Sequence, residues 1–251
     1  MNITITGFMG TGKTTAGKHL AKRLGWAFVD TDRLIESSAR KTIPQIFSQH
    51  GEAVFRRLEH RVIKHVARGD EQVIATGGGA FVNPENRSRL RAVGPVICLT
   101  ANPKAILRRV SPTLARRPLL APPTALRVGT TLRDTKRGET AGQAVGLVRS
   151  RIEQLLRQRA AAYAKADLVV DTSRLTIEEI ADRMWTVLNP WIPKGWCYLV
   201  RHTEHLCQRY GGKYVVVMDD ASAGHAFRKW IQIPHTPYNS AVGTTWPAAS
   251  R

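Results

Sequence analysis

Short apolar runs alternate with amphipathic stretches along the first 190 residues. Five of the runs have the length of a strand and cover residues 3–7, 27–29, 73–75, 95–99 and 168–170. Segments with helical spacing separate them, at residues 13–24, 33–38, 43–49, 52–67, 103–110 and 176–188. The last of these begins at Thr176, with Glu179 three residues on, which is typical of a capping box. This alternation predicts a parallel sheet with helices on both faces.

Two regions interrupt the alternation. Residues 111–150 are rich in Pro, Gly, Thr and Arg, which predicts a basic loop with at most short helices until a helix at about 148–162. Residues 189–195 (NPWIPKG) are typical of a linker. We therefore expect a domain at residues 1–189, with a lid and insertion at about 111–150, and an extension at 190–251.

The extension has a weaker pattern, which predicts a small α+β appendage. Helices are expected at 198–209 and 224–232, a strand at 213–218, and disorder at 234–251. Metal binding is an open question for two cysteines and two histidines: Cys197, His202, His205 and Cys207. Their C-x₄-H-x₂-H-x-C spacing is not a usual structural zinc arrangement, and the alternative is ordinary helix histidines with a buried thiol.

The charge balance narrows the class of partner. The 251 residues include 38 Lys and Arg against 19 Asp and Glu, a net charge of +19, most of it in the first 190 residues. Such a charge attracts anions, so nucleic acid is the first partner to consider. The alternative is an enzyme with anionic substrates, and the motifs below favour it. We therefore do not expect nucleic acid as a partner.

The cysteine content and the hydropathy of the chain indicate the cellular compartment in which the protein is expected. The three cysteines, Cys98, Cys197 and Cys207, favour reduced thiols over a disulfide framework. The chain opens on an apolar strand with no basic segment before it, and no run of about 18 apolar residues occurs. These observations predict a cytoplasmic protein without a membrane span, and we expect a monomer.

The clearest motif follows the first strand. Residues 7–14 (GFMGTGKT) match G-x-x-x-x-G-K-[ST] between a strand and a helix. Glycines let backbone N–H groups converge on phosphates, and the helix N-terminus adds partial positive charge. Lys13 is expected at the β- and γ-phosphates, and the Thr14 hydroxyl at Mg²⁺. The motif predicts a nucleoside triphosphate ligand without fixing the reaction.

Two acidic residues follow the second strand. Asp30 and Asp32 lie at its C-terminal end, where open α/β sheets place ligands. Alternation along an extended segment predicts that both carboxylates point to one side, with Thr31 facing away. One carboxylate would position the Mg²⁺ shell, and the other would accept a hydrogen bond from an attacking hydroxyl. The alternative is a solvated acidic turn.

Three other features are ambiguous when taken alone. Arg56 and Arg57 share a helix with apolar residues, so at least one of them belongs to the surface or to a site. Glycines 77–79 follow the third strand, which favours close approach of a ligand over a flexible connector. Residues 116–119 (RRPL) open the basic loop, where an arginine either closes over phosphates or is simply exposed.

Taken together, these residues resemble the shikimate kinases, compact P-loop kinases of the nucleoside-monophosphate-kinase type. The similarity covers about residues 1–188. It rests on GFMGTGKTT (7–15), FVDTD (28–32), IPQIFSQHGEAVFRRLE (43–59), VIATGGGA (73–80), RRPLLA (116–121) and ADLVVDT (166–172). The resemblance implies a three-layer α/β/α P-loop NTPase fold around a five-stranded parallel sheet. It also implies Mg²⁺-dependent phosphorylation of shikimate by ATP, on the way to chorismate and the aromatic amino acids.

The resemblance further implies roles for individual residues. Lys13, Asp32 and Arg117 would be catalytic, with Asp32 as the base at the shikimate hydroxyls and Arg117 on the lid. Thr14 and Asp30 would hold Mg²⁺. The residues implied for ATP are Gly10, Thr11, Gly12, Lys13, Thr14, Thr15, Arg109, Arg117 and Arg174. Those implied for shikimate are Asp32, Arg56, Gly77, Gly78, Gly79 and Arg159, with the two arginines on its carboxylate.

The chain departs from the family pattern at three places. Thr14 stands where serine is common, residues 158–163 (QRAAAY) lack a usual proline, and the segment between Arg117 and Arg159 is longer than usual. Two other functions stay open: a P-loop kinase for another small metabolite, and a non-catalytic ATP-binding relative that regulates or binds nucleic acid. A degenerate relative is disfavoured by four intact residues: Lys13, Asp32, Arg56 and Arg117.

Overall fold

Five parallel strands form a single sheet in the order β2-β3-β1-β4-β5. The strands are β1 (Ile3–Gly7), β2 (Ala27–Asp30), β3 (Gln72–Ala75), β4 (Val96–Thr100) and β5 (Leu168–Asp171). The computed structural model describes residues 1–120, 139–189, 192, 214–218 and 228–232. Because all five strands run the same way, their carboxyl ends and the loops that follow meet at one edge.

Seven helices are found in the described part of the chain. They are α1 (Lys13–Leu24), α2 (Thr31–Ala39), α3 (Ile43–Val66), α4 (Pro84–Ala92), α5 (Pro103–Val110), α6 (Glu139–Tyr163) and α7 (Ile177–Leu188). Short 3₁₀ turns lie at Ala80–Val82, Ser111–Arg116 and Pro118–Leu120. The predicted capping box is present, since Thr176 accepts from the Glu179 N–H and Glu179 accepts from the Thr176 N–H.

Apolar clusters cover both faces of the sheet. On one face, α1 and α7 contribute Leu20, Met184 and Leu188 to a buried cluster with Ile3 and Ile5. On the other, α4, α5 and α6 bury Leu90, Ile106 and Ile152 with Val96 and Cys98. The predicted three-layer fold and all five predicted strands are thereby confirmed.

Helix α3 contains a sharp break. Gly51 has φ 76° and ψ 172°, a conformation that is essentially restricted to glycine. The sequence pattern predicts separate helices at 43–49 and 52–67, and the structure joins them through this residue. The Phe47 and Phe55 rings, one from each segment, lie 4.9 Å apart between centroids across the bend.

Several predictions of secondary structure were wrong. Helix α4 was not predicted, because Leu90 is its one buried apolar residue and the segment shows little periodicity. Residues 139–147 were expected in a loop and are helical in α6. The helix expected at 224–232 is contradicted by β7 (Arg228–Gln232), which pairs antiparallel with β6 (Tyr214–Met218).

Other predictions fall outside the described residues. These are the lid segment at 121–138, the helix at 198–209, the disordered end at 234–251, and the four candidate ligands Cys197, His202, His205 and Cys207. Within the described ranges no group of three metal-ligating side chains is found. The helices described here include none with the length and apolarity to cross a membrane.

Candidate active site

The P-loop joins β1 to α1 and depends on glycine at several positions. Gly10 and Gly12 have φ of 79° and 93°, in the left-handed region that glycine adopts without strain. Gly7 lies so close to β4 that a Cβ there would be 2.1 Å from the Leu99 carbonyl oxygen. The loop is closed by the Thr11 hydroxyl, which donates to the Phe8 carbonyl at 2.8 Å. Thr15 is exposed on the first turn of α1.

Lys13 and Asp32 lie close enough for each charge to affect the pKa of the other. The Lys13 ammonium donates to the Phe8 carbonyl oxygen at 2.8 Å. Burial lowers the pKa of Lys13 to about 8, although the Asp32 carboxylate opposes this shift. Burial and the neighbouring Asp30 raise the pKa of Asp32 to about 6, against the attraction of Lys13. Asp32 Oδ1 is buried and has no hydrogen-bond partner among the described residues, so it can accept a proton or a hydrogen bond.

Asp30 connects the P-loop to α2. Its Oδ2 accepts from the Thr14 hydroxyl at 2.9 Å, and its Oδ1 caps α2 by accepting from the Asp32 and Arg33 N–H groups. The expectation of an extended Asp30–Asp32 segment was wrong, because the helix begins at Thr31. The capping bonds turn the chain at Asp30. The carboxylates of Asp30 and Asp32 nevertheless both lie close enough to Lys13 to raise its pKa.

The three glycines after β3 pack directly against charged side chains. A Cβ at Gly77 would lie 2.6 Å from Asp32 Oδ1 and 3.1 Å from Glu59 Oε1. A Cβ at Gly79 would lie 2.6 Å from Arg56 Nη1. The Gly77 N–H donates to the hydroxyl of Thr31, which is fully buried, at 3.1 Å.

Two arginines approach this glycine turn from different helices. On α3, Arg56 donates to Glu59 at 2.9 Å and to Glu52 at 2.7 Å. Burial alone lowers the pKa of Arg56, but the charges and hydrogen bonds of Glu59 and Glu52 raise it overall. On α6, Arg159 is 6% exposed and donates to the Gly78 carbonyl at 3.0 Å. Arg57, by contrast, is exposed.

Arg117 lies at the mouth of the same cleft. Its Nε donates to the Thr113 hydroxyl at 3.2 Å. Burial lowers the pKa of Arg117, and Asp32 opposes that effect. The cleft therefore brings three arginines and two acids together, with Lys13 near Asp32 and Arg117, and apolar side chains line the rest. Its lining residues are Met9, Asp32, Ile43, Phe47, Phe55, Arg56, Glu59, Gly77, Gly78, Gly79, Arg117, Pro118, Leu119 and Arg159.

Two further arginines, Arg109 and Arg174, were implied as contacts for ATP. Arg109 of α5 donates to the Gly10 carbonyl at 3.3 Å and to the Thr172 carbonyl at 2.6 Å. It thereby joins the P-loop to the turn after β5. Arg174 is exposed on that turn and lines a separate surface cavity with Asn102 and Asp171.

The sequence pattern assigned no role to one residue that lines the cleft and two that hold its glycine turn. Glu59 was noted as part of a motif, yet it is the buried partner of Arg56. Thr31 was expected to face away, and Tyr163, whose hydroxyl donates to the Gly78 carbonyl, was not considered. Glu59 follows Arg56 by three residues on a helix, so spacing alone could have indicated that pair.

A P-loop at the edge of a five-stranded parallel sheet, beside a cleft with a free carboxylate and several arginines, defines the class of small P-loop phosphotransferases. The family model "Shikimate kinase" matches residues 9–189. The chain belongs to the shikimate kinase family.

Individual relatives agree with this assignment. The chain is 42% identical over 183 residues to the shikimate kinase of Caldanaerobacter subterraneus subsp. tengcongensis, covering 73% of this chain and 93% of that protein. It is 52% identical over 127 residues to the shikimate kinase of Symbiobacterium thermophilum, covering 50% of this chain and 73% of that protein. The structure of an Acinetobacter baumannii shikimate kinase in complex with shikimate is similar, with a TM-score of 0.62 and 31% sequence identity. The match covers 75% of this chain and 93% of that chain.

Proposed function

We propose that this protein transfers the γ-phosphoryl group of ATP to shikimate, giving shikimate 3-phosphate and ADP. The observation that carries the proposal is the convergence of Lys13, Asp32, Arg56, Arg117 and Arg159 around one cleft beside the P-loop. Membership of the shikimate kinase family supports the choice of acceptor. No observation favours another metabolite or a non-catalytic role.

The roles of the residues follow from their surroundings. Lys13 neutralises charge on the β- and γ-phosphates, and the Gly10, Thr11 and Gly12 backbone surrounds them. Asp32 carries an unpartnered buried oxygen, so it can orient the attacking hydroxyl and take its proton. Arg117, near Asp32 and Lys13, stabilises charge on the transferred group from the lid side.

Two guanidinium groups fit the carboxylate of shikimate. Arg56 and Arg159 approach the Gly77–Gly79 turn from α3 and α6, and both line the cleft. Arginine binds carboxylates through paired, charge-assisted hydrogen bonds. Anchoring the carboxylate at this end directs the ring hydroxyls towards Asp32, which is the positioning that phosphoryl transfer requires.

The residues at the end of β2 fit a magnesium ion. The Thr14 hydroxyl and the Asp30 carboxylate lie 2.9 Å apart beside the P-loop, and Mg²⁺ prefers oxygen ligands of this kind. Thr14 would contact the metal, and Asp30 would act through a water molecule. When bound, Mg²⁺ would neutralise charge on the phosphates. ATP itself would also contact Thr15, Arg109 and Arg174.

We further propose that residues 1–189 form the catalytic unit, and that it acts as a cytoplasmic monomer. The family match ends at residue 189, and the free thiol of Cys98 is compatible with a reducing compartment. The role of residues 190–251 lies outside this proposal.

The decisive experiment measures ADP release from Mg·ATP with and without shikimate. We expect release that depends on shikimate in the parent protein and is abolished by Lys13→Ala and by Asp32→Asn. Quinate, a close analogue, serves as the control acceptor. ADP release unaffected by shikimate, with ATP still bound, would contradict the proposed acceptor.

A further inference from the structure

The carbonyl oxygen of Gly78 accepts two hydrogen bonds from one helix. Arg159 Nη1 donates to it at 3.0 Å, and the Tyr163 hydroxyl, one helical turn further along α6, donates at 2.5 Å. Tyr163 is 7% exposed and packs in the apolar cluster that contains Phe81 and Cys98. Burial raises the pKa of Tyr163 to about 12, so the hydroxyl keeps its proton and remains a donor at neutral pH.

These bonds add to the restraint on the central peptide of a turn, which the Ala80 N–H closes by donating to the Gly77 carbonyl at 3.1 Å. The peptide between Gly78 and Gly79 has no side chain on either side to restrict its orientation. In a trans peptide the carbonyl and the following N–H point in opposite directions. Because the Gly78 oxygen is held against α6, the Gly79 N–H points away from α6, and Gly79 lines the cleft.

Substrate binding should affect the two donors to Gly78, Arg159 and Tyr163, differently. Arg159 is proposed to bind the carboxylate of shikimate, and any turn of its guanidinium towards that group draws Nη1 away from the Gly78 oxygen. Turning weakens its bond to the Gly78 oxygen, which would then lose a partner. Tyr163 lies close enough to Arg159 for that guanidinium to oppose the burial shift of its pKa, but its ring is packed among apolar neighbours, so its bond to Gly78 can persist when Arg159 moves.

We propose that Tyr163 is a positioning residue for the acceptor: its hydroxyl holds the Gly78–Gly79 peptide in the binding orientation while Arg159 engages the substrate carboxylate. The inference rests on the proposed function, since it names a residue that serves the same site. Removing the hydroxyl changes little in the ligand-free protein, where Arg159 still bonds to Gly78, and weakens binding only when shikimate recruits Arg159.

The test is Tyr163→Phe, which keeps the ring and deletes the hydroxyl. Ile152→Val is the matched control, because Ile152 is fully buried on the same helix and in the same cluster, away from the cleft. Thermal unfolding, shikimate binding by calorimetry without nucleotide, and the KM for each substrate are measured for both variants and the parent. We expect Tyr163→Phe to raise the shikimate Kd and KM about tenfold, with the ATP KM and the Tm close to the parent values.

Two results would overturn the inference. The first is a shikimate Kd for Tyr163→Phe within about twofold of the parent value, well below the tenfold change expected for a lost hydrogen bond. The second is an equal loss for ATP and shikimate together with a lower Tm, which would make the hydroxyl purely structural. Either result in a parent protein that phosphorylates shikimate rejects the role of Tyr163 alone. A parent that neither binds nor phosphorylates shikimate rejects the proposed function as well.

Discussion

Glu59 holds Arg56 through an ion pair of 2.9 Å, in which Glu59 is the buried partner with 1% of its side chain exposed. Its second oxygen, Oε1, is buried without a hydrogen-bond partner in the described part of the chain. Burial raises the pKa of Glu59, while the charge of Arg56 opposes that shift. The position of Arg56 in the cleft therefore depends on a buried carboxylate, Glu59, which the charge of Arg159 also stabilises, together with the more exposed Glu52.

Replacing Glu59 should impair acceptor binding more than nucleotide binding. In Glu59→Gln the buried charge partner of Arg56 is lost, and we expect the shikimate KM to rise about tenfold with little change in the ATP KM. Glu52→Gln is the control, because Glu52 contacts the same arginine from an exposed position. An exposed pair contributes little, so its shikimate KM should change less than about twofold. Equal effects of the two variants would contradict this account of Arg56.

A methyl group at Gly77 should disable the cleft. The added Cβ of Gly77→Ala would lie 2.6 Å from Asp32 Oδ1, so the carboxylate or the β3 turn must shift. We expect kcat/KM to fall by at least about a hundredfold, because phosphoryl transfer depends on the position of the base. Gly146→Ala on α6 is the control, since nothing lies within 4 Å of a Cβ there. That change should leave activity intact and raise stability by up to about 1 kcal/mol. Steady-state kinetics and thermal unfolding measure both variants.

The opposed pKa shifts of Asp32 and Lys13 predict a bell-shaped pH profile. The pKa of Asp32 is raised to about 6, so below that pH the base is protonated and kcat/KM should fall. The pKa of Lys13 is lowered to about 8, so above that pH its positive charge is lost and kcat/KM should fall again. Shikimate-dependent ADP release between pH 5 and pH 9.5 measures both limbs. A profile that stays flat from pH 5 to pH 7 would argue against Asp32 as the base.

The same shift has a consequence for stability. The folded-state pKa of Asp32 lies above its ordinary value of 3.8, so ionised Asp32 destabilises the fold at neutral pH. Asp32→Asn should therefore raise the Tm at pH 7.5 while abolishing activity. As the pH falls through about 6 towards 4, the parent carboxyl takes up its proton, and the difference in Tm should disappear. A lower Tm for Asp32→Asn at pH 7.5 would contradict this reasoning.

The Thr14 hydroxyl should be required for magnesium and replaceable by serine. Thr14→Ser keeps the group that donates to Asp30 at 2.9 Å, and we expect activity within about threefold of the parent. Thr14→Val has a similar shape without the hydroxyl, and it should need much more Mg²⁺ for half-maximal activity. Titration of activity with Mg²⁺ at fixed ATP distinguishes the two. Identical magnesium requirements would remove Thr14 from the metal site.

The catalytic unit should survive removal of the extension if the cut follows residue 192. Ile192 is 3% exposed and belongs to the cluster formed by α1, α7 and the sheet. A fragment of residues 1–192 should therefore fold and retain shikimate-dependent activity. A fragment of residues 1–189 loses this buried isoleucine. Its free energy of unfolding should be lower by about 2 kcal/mol or more, and it should therefore unfold at a lower temperature. Failure of residues 1–192 to fold would show that the extension belongs to the same folding unit.

The elements that the sequence predicted well are those determined by local pattern. The five strands and the P-loop depend on contiguous apolar residues and on fixed glycine positions. The geometry of Asp30 was missed because a capping bond to the next helix competed with the extended conformation. Helix α4 was missed although Asn83 caps it and Pro84 is its first residue, because Leu90 is its only buried apolar residue.

The contacts that complete the cleft are long-range and could not be obtained from spacing. Tyr163 and Gly78 lie 85 positions apart, and Arg159 and Gly78 lie 81 apart. Only the packing of α6 over the sheet brings these groups together. The resemblance to the family indicated Arg159 without its contact to Gly78, and nothing in the pattern singled out Tyr163 from other helix residues that face the core.

The bend at Gly51 allows α3 to form two adjacent walls of the cleft. A straight helix of its 24 residues would extend about 36 Å and pass along one side only. Ile43 and Phe47 come from the wall before the bend, and Phe55, Arg56 and Glu59 from the wall after it. The angle between the walls is set by one glycine and by the Phe47–Phe55 contact. The direction of the segment that carries Ile43 and Phe47, relative to the segment that carries Arg56 and Glu59, therefore depends on this one residue, Gly51.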